Sequence, residues 1–173
     1  MHEEAARRSS MKPLVNNLDE EFARLHARLH ALLNLIPPQD LYRQPPEINK
    51  QNERAFPVHS CGEQLLRAAA AIEQTFGGLT ANLWDDPFEW TLPETLSTPE
   101  RIAEYLIEVE ATRQRGFQLF KADADLQKEI VVPSGETKTL CALLLETLVR
   151  AAHYEGHARA MLQFFSIVQL PLV

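Results

Sequence analysis

The chain has 173 residues, 45% apolar and 24% charged with only 6 glycines, which is the length of about one domain and not the composition of a disordered, collagenous or all-β chain. The 17 basic and 24 acidic side chains leave a net charge of −7, and the lysines and arginines are scattered, which argues against a nucleic-acid or anionic-membrane surface. Two cysteines, Cys61 and Cys141, make no disulfide framework and no apolar run suits a leader or membrane segment, so the expectation is a cytoplasmic protein with no membrane partner.

Residues 1–11 are charged and lack periodicity, so they are expected to form a loose, disordered tail ahead of one domain over 12–173. Leu18, Phe22, Leu25, Leu29, Leu32 and Ile36 recur in steps of three and four, the stripe of a first amphipathic helix ending at Pro37-Pro38. Gln39 to Val58, with Pro45-Pro46 and Pro57, reads as a long connection. It can span a helix of ~25 residues, roughly 37 Å, which would let helices one and two lie parallel. Ser60 and Glu63 have the spacing of a capping box and open helix two, whose stripe is Leu65, Ala69, Ile72, Phe76, Leu79 and Leu83. Asn82 to Leu96, with Trp84 and Trp90, is a loop that packs its own aromatics. Helix three is capped by Ser97 or Thr98, takes Pro99 in its first turn, and runs through Ile102, Val109, Arg113 and Phe117. A β-branched patch, Ile130 to Val132, precedes the turn Pro133-Ser134-Gly135 without a convincing strand partner, and Thr137 opens helix four, from Lys138 to about Val168. The expected fold is all-α: a four-helix bundle with a long crossover between helices one and two.

Helix four is apolar almost all round. One flank gathers Ala142, Glu146, Val149, His153, His157, Ala160 and Phe164, and the other Leu140, Leu144, Leu148, Ala151, Ala158 and Leu162. A helix apolar on both sides is central or lies against a partner, so a homodimer through helix four is expected. His153 and His157, at i and i+4, project from one face within reach of a single divalent ion. His26 and His30 repeat the spacing among Arg24 and Arg28, where a solvated flank is the simpler reading. His59, His26, His30 or Glu146 is available as a third donor. Cys61, in the first turn of helix two, is either a thiol activated by the helix dipole or a small buried hydrophobe. Dinucleotide, P-loop and nucleophile-elbow signatures are absent.

Ser60-Cys61-Gly62-Glu63-Gln64-Leu65-Leu66, Val132-Pro133-Ser134-Gly135-Glu136-Thr137 and Leu148-Val149-Arg150-Ala151-Ala152-His153-Tyr154-Glu155-Gly156-His157 occur in the order found in the DinB/YfiT-like superfamily, which this chain resembles from about Lys12 to Phe165. The resemblance implies a four-helix bundle, commonly dimeric, in which one histidine of helix two and an H-x-x-x-H on the last helix hold a divalent metal such as Zn, Ni or Fe. Some members of that family are thiol-dependent transferases. His153 and His157 match the H-x-x-x-H, whereas Arg67-Ala68-Ala69 stands where the helix-two histidine is expected, so the third ligand is open among His59, His26, His30 and Glu146. Two functions follow as expectations. One is a divalent-metal-dependent enzyme, with a thiol-dependent transferase as one form. The other is a degenerate, non-catalytic dimeric binding or stress-response module that takes a small-molecule ligand, with Arg67 or a neighbour filling the vacated ligand position.

Overall fold

The structure is a computed structural model and describes residues 12–44, 59–87 and 94–165. The expected tail, most of the Gln39 to Val58 connection, Trp90 and the expected end of helix four near Val168 lie outside the described residues. Four long helices dominate: α1 (Pro13–Leu33), α2 (Cys61–Ala81), α3 (Pro99–Phe117) and α4 (Leu140–Phe165). Their starts follow from local chemistry. Pro13 and Pro99 occupy first-turn positions where a missing N–H costs nothing. Ser60 and Glu63 form both halves of the capping box, with the Ser60 hydroxyl accepting from the Glu63 N–H and the Glu63 carboxylate accepting from the Ser60 N–H. The last turn beyond α1 tightens before the proline pair, as the N–H groups of Leu35 and Ile36 donate to the carbonyls of Leu32 and Leu33. Asn82 ends α2 in the left-handed region, at φ 56°.

One expectation is corrected at Thr137. Thr137–Thr139 is a strand (β2) paired antiparallel with Glu129–Val131 (β1), in the register Val131 to Thr137 and Glu129 to Thr139. Gly135 takes φ +82° at the tip, a conformation a side chain would strain. The helix therefore starts at Leu140, where the Leu140 N–H donates to the Lys128 carbonyl and the Thr139 hydroxyl accepts from the Ala142 N–H.

Side-chain contacts set the directions of the helices. The Cys61 thiol donates to the carbonyl of Ala158, and Thr75 meets Thr147, so α2 and α4 are antiparallel. Lys12 reaches the Phe120 carbonyl, Asp19 pairs with Arg113, and His26 faces Glu110, so α1 and α3 are antiparallel as well. Glu73 with Tyr105 and Phe76 with Gly116 make α2 and α3 parallel. These relations run α1 against α2, contrary to the parallel arrangement the connection length allows. The Gly62 N–H donates to the Leu41 carbonyl at 2.7 Å, so the chain re-enters at the end where α1 stops. The lengthwise crossing is instead the segment joining parallel α2 and α3. Trp84 lies against Gly78 at one end of it, and at the other the Leu96 carbonyl accepts from the Tyr42 hydroxyl. An extended chain gains ~3.3 Å per residue against 1.5 Å in a helix, so this segment spans α2 easily.

The shared interior is built from the leucine stripe of α1, the alanine-rich face of α2 and the Leu140, Leu144, Ala151, Ala158 and Leu162 side of α4. At its centre Phe22, Phe76 and Phe117 have ring centroids 5.2–5.7 Å apart, in edge and tilted pairs. Gly116 allows this, because a Cβ there would fall 2.4 Å from the Phe76 ring.

Candidate functional site

His153 and His157 stand together with ring centroids 4.1 Å apart, but both are exposed, on the outer flank of α4 and not directed inward. His59 is half-buried and lies 3.7 Å from the Glu63 carboxylate. Among the described residues no three of His, Cys, Asp and Glu are grouped so as to hold a metal ion, so His59 does not complete a three-donor set with His153 and His157. The other candidate donors are occupied elsewhere. Glu146 is exposed and 2.6 Å from the Lys138 ammonium. His26 and His30 stack edge to face at 4.6 Å in the seam between α1 and α3, and His26 lies 3.9 Å from Glu110. Burial pushes the His26 imidazole below its usual range, with Glu110 opposing and His30 and Arg113 adding to the shift. Cys61 is buried, and burial lifts its thiol to about 12, which overrides the helix dipole and leaves the inert reading of this residue.

The outward face of α4 is unusually apolar. Val149 is 68% exposed, Phe164 55% and Leu145 47%, with the His153 and His157 pair between them.

A different i, i+4 pair faces α2. Arg150 and Tyr154, three residues ahead of the histidines and so about 60° around the helix, line a small cavity of about 30 Å³ together with Arg67, Ala70, Gln74 and Asp86. One guanidinium nitrogen of Arg150 donates to the Ala71 carbonyl at 3.3 Å and to Gln74 Oε1 at 3.1 Å. Both partners are neutral, and the carboxylate on the same cavity wall is that of Asp86. Gln74 and Arg150 also line an adjoining cavity of about 380 Å³, between the ends of α2 and α4 and the tip of the hairpin. Trp84, Val132, Pro133 and Leu143 form its apolar wall. Lys138, on the same wall, is held by Glu146 and Glu136.

The hydroxyls on the floor of the larger cavity are spent internally. Thr147 donates to the Leu143 carbonyl at 2.8 Å, which leaves Thr75 to donate to Thr147 Oγ1 at 2.7 Å. The two threonines themselves therefore offer a ligand their methyl groups, while Ser134 and Glu146 add polar groups to the wall. Of the residues around the smaller cavity, the sequence singles out Arg67 as a functional candidate, through its place in helix two. Arg150 and Tyr154 carry a usable signal, a cation and a phenol spaced i, i+4 within an apolar run, but nothing local says which face of α4 meets α2.

No helix among the described residues is long and apolar enough to cross a membrane. Comparison with protein-family models, with curated proteins and with solved structures finds no match to this chain.

Proposed function

We propose that the four helices form a DinB-like bundle and that the groove between α2 and α4 is a binding site for a small anionic molecule, making this chain a non-catalytic binding module. The observation that carries the reading is the grouping of Arg67, Arg150 and Tyr154 around one cavity. Two guanidinium groups and one carboxylate, Asp86, line it, and Arg150, whose hydrogen-bond partners Ala71 and Gln74 are neutral, suits a carboxylate or phosphate. Residues of this kind do not fit a divalent ion. A guanidinium cannot give up its proton to ligate, and its charge repels the metal. The exposed His153 and His157 are two donors without a third, which suits weak, unselective binding only.

The test is calorimetric titration of the untagged protein with phosphate and with acetate, beside elemental analysis. Saturable anion binding is expected, weakened about tenfold or more by Arg150→Gln, the loss of one charge-assisted contact, with less than about a tenth of an equivalent of metal. A full equivalent of Zn, Ni or Fe lost on His153→Ala would overturn the reading in favour of a metal-dependent enzyme.

The same reading includes a homodimer through the outer flank of α4. Val149, Leu145 and Phe164 together are the kind of patch that a second copy, crossing around a twofold axis, would cover. Light scattering is expected to give twice the chain mass, and Val149→Glu the single-chain mass with an unchanged helical spectrum. A monomeric wild-type protein at micromolar concentration would remove the dimer without touching the groove.

A further inference from the structure

From the pairing of the two cavities we infer the class of ligand: an organic acid with an apolar, ring-sized body, such as an arylacetic acid, and not a free inorganic anion. The inference rests on the anion-binding reading above and adds a second, independent half to it. The smaller cavity, about 30 Å³, has room for one or two water-sized spheres, enough for a carboxylate head but not for the rest of a metabolite. The larger, about 380 Å³, falls in the ~300–1,000 Å³ range of small-molecule sites. Gln74 and Arg150 belong to both, so a head group held by Arg150 stands at the mouth of the larger space.

The chemistry of the two halves differs in the way such a ligand requires. At the junction, Arg150 presents a charge whose direct hydrogen-bond partners are neutral, the Ala71 carbonyl and the amide of Gln74. Beyond it, Trp84 offers an aromatic face, and Val132, Pro133 and Leu143 offer aliphatic surface. Both threonine protons are already committed and Lys138 is paired with Glu136 and Glu146, so beyond the Ser134 hydroxyl a sugar finds few unspent donors there, and Glu146 on the same wall opposes a second anionic group. The pocket is also preformed. Gly78 seats the Trp84 ring, since a Cβ would lie 2.4 Å from it, while Gln74 Nε2 donates to the Trp84 carbonyl at 3.0 Å and the Trp84 indole N–H to Asn82 Oδ1 at 3.0 Å.

Calorimetric titration of the full chain with phenylacetate, acetate, inorganic phosphate and benzyl alcohol tests this. Burying a phenyl ring is expected to make phenylacetate bind at least about tenfold more tightly than acetate or phosphate. Trp84→Ala is expected to erase that advantage while acetate binding persists. Arg150→Gln is expected to weaken phenylacetate but not benzyl alcohol. Trp84→Phe, which keeps a ring against Gly78, should retain most of the preference and guards against a folding defect, checked by thermal melting. If acetate and phosphate bind as well as phenylacetate, the inference fails and the anion site stands. If none of the three anions binds, both fail.

Discussion

Phe76→Ala is expected to lower the unfolding free energy by about 3–5 kcal/mol, among the largest losses available to one substitution in this chain. Phe76 is fully buried between Phe22 and Phe117, and its ring fills the notch that Gly116 leaves. Truncation opens a cavity where α1, α2 and α3 meet, and rings at 5.2–5.7 Å cannot close it without leaving their rotamers. For a domain of this size the loss corresponds to a fall of about 6–20 °C in Tm. The converse change, Gly116→Ala, forces a methyl to 2.4 Å from the same ring and should cost about 1–3 kcal/mol by overpacking. Urea unfolding of the two variants checks both values. A loss below about 1 kcal/mol for Phe76→Ala would mean that the aromatic cluster does not organise the interior.

Arg113→Leu is expected to cost about 3 kcal/mol, because it strands a carboxylate. The guanidinium lies in the seam between α1 and α3, donates to both oxygens of Glu110 at 2.7 Å and pairs with Asp19. Its side chain is 4% exposed and that of Glu110 17%, so water replaces little of what is lost. Asp19 is more open and contributes less. Burial alone would push the Glu110 carboxyl up, but the hydrogen bonds and charge of Arg113, with Gln114 and His26, hold it below its usual value.

That direction fixes the sign of the acid response. A depressed carboxyl contributes stability above its ordinary value of 4.5, and the contribution is lost as pH falls through the folded value. The lowered His26 imidazole acts earlier. Below its ordinary value of 6.5 the unfolded chain takes up the proton first, so stability declines from there downward. Wild-type protein should therefore lose stability in two acid ranges, and Glu110→Gln should shrink the lower one, to which the depressed carboxyls of Glu63 and Asp125 also contribute. The pair Arg113→Leu with Glu110→Gln should recover much of what Arg113→Leu loses. Chemical denaturation at pH 7.5, 5.5 and 4 separates these outcomes.

Features decided within a few residues were legible in the sequence. The Ser60 and Glu63 box, and Pro99 following Thr98, place two helix starts where the structure has them. The stripe from Leu18 to Leu32 is the buried side of α1. Features decided by packing were not legible. The Gln39 to Val58 connection bounds how far the chain can travel but not where it goes, and a single bond from Gly62 to Leu41 shows it returning to the same end. Thr137–Thr139 is too short for alternation to show, and its register depends on Val131 across the turn. The inward direction expected of His153 and His157 was missed for a related reason. Helix four is apolar on nearly every side, so its pattern carries almost no phase, and an i, i+4 histidine pair looks inward until the position of α2 is known. Contact with α2 chooses Arg150 and Tyr154 for the groove and turns His153 and His157 out to solvent.

Of the described helices, the one synthesised last is also the one that α2 needs. As the chain is synthesised, Ala68, Ala71 and Thr75 acquire their partner surface only when α4 has emerged, so a nascent chain stopped short of Leu140 leaves α1, α2 and α3 with a bare alanine-lined seam. Such an intermediate is exposed to chaperones and proteases from the completion of α3 until α4 emerges, and a premature stop ahead of Arg150 removes the α4 side of the groove together with much of the interior.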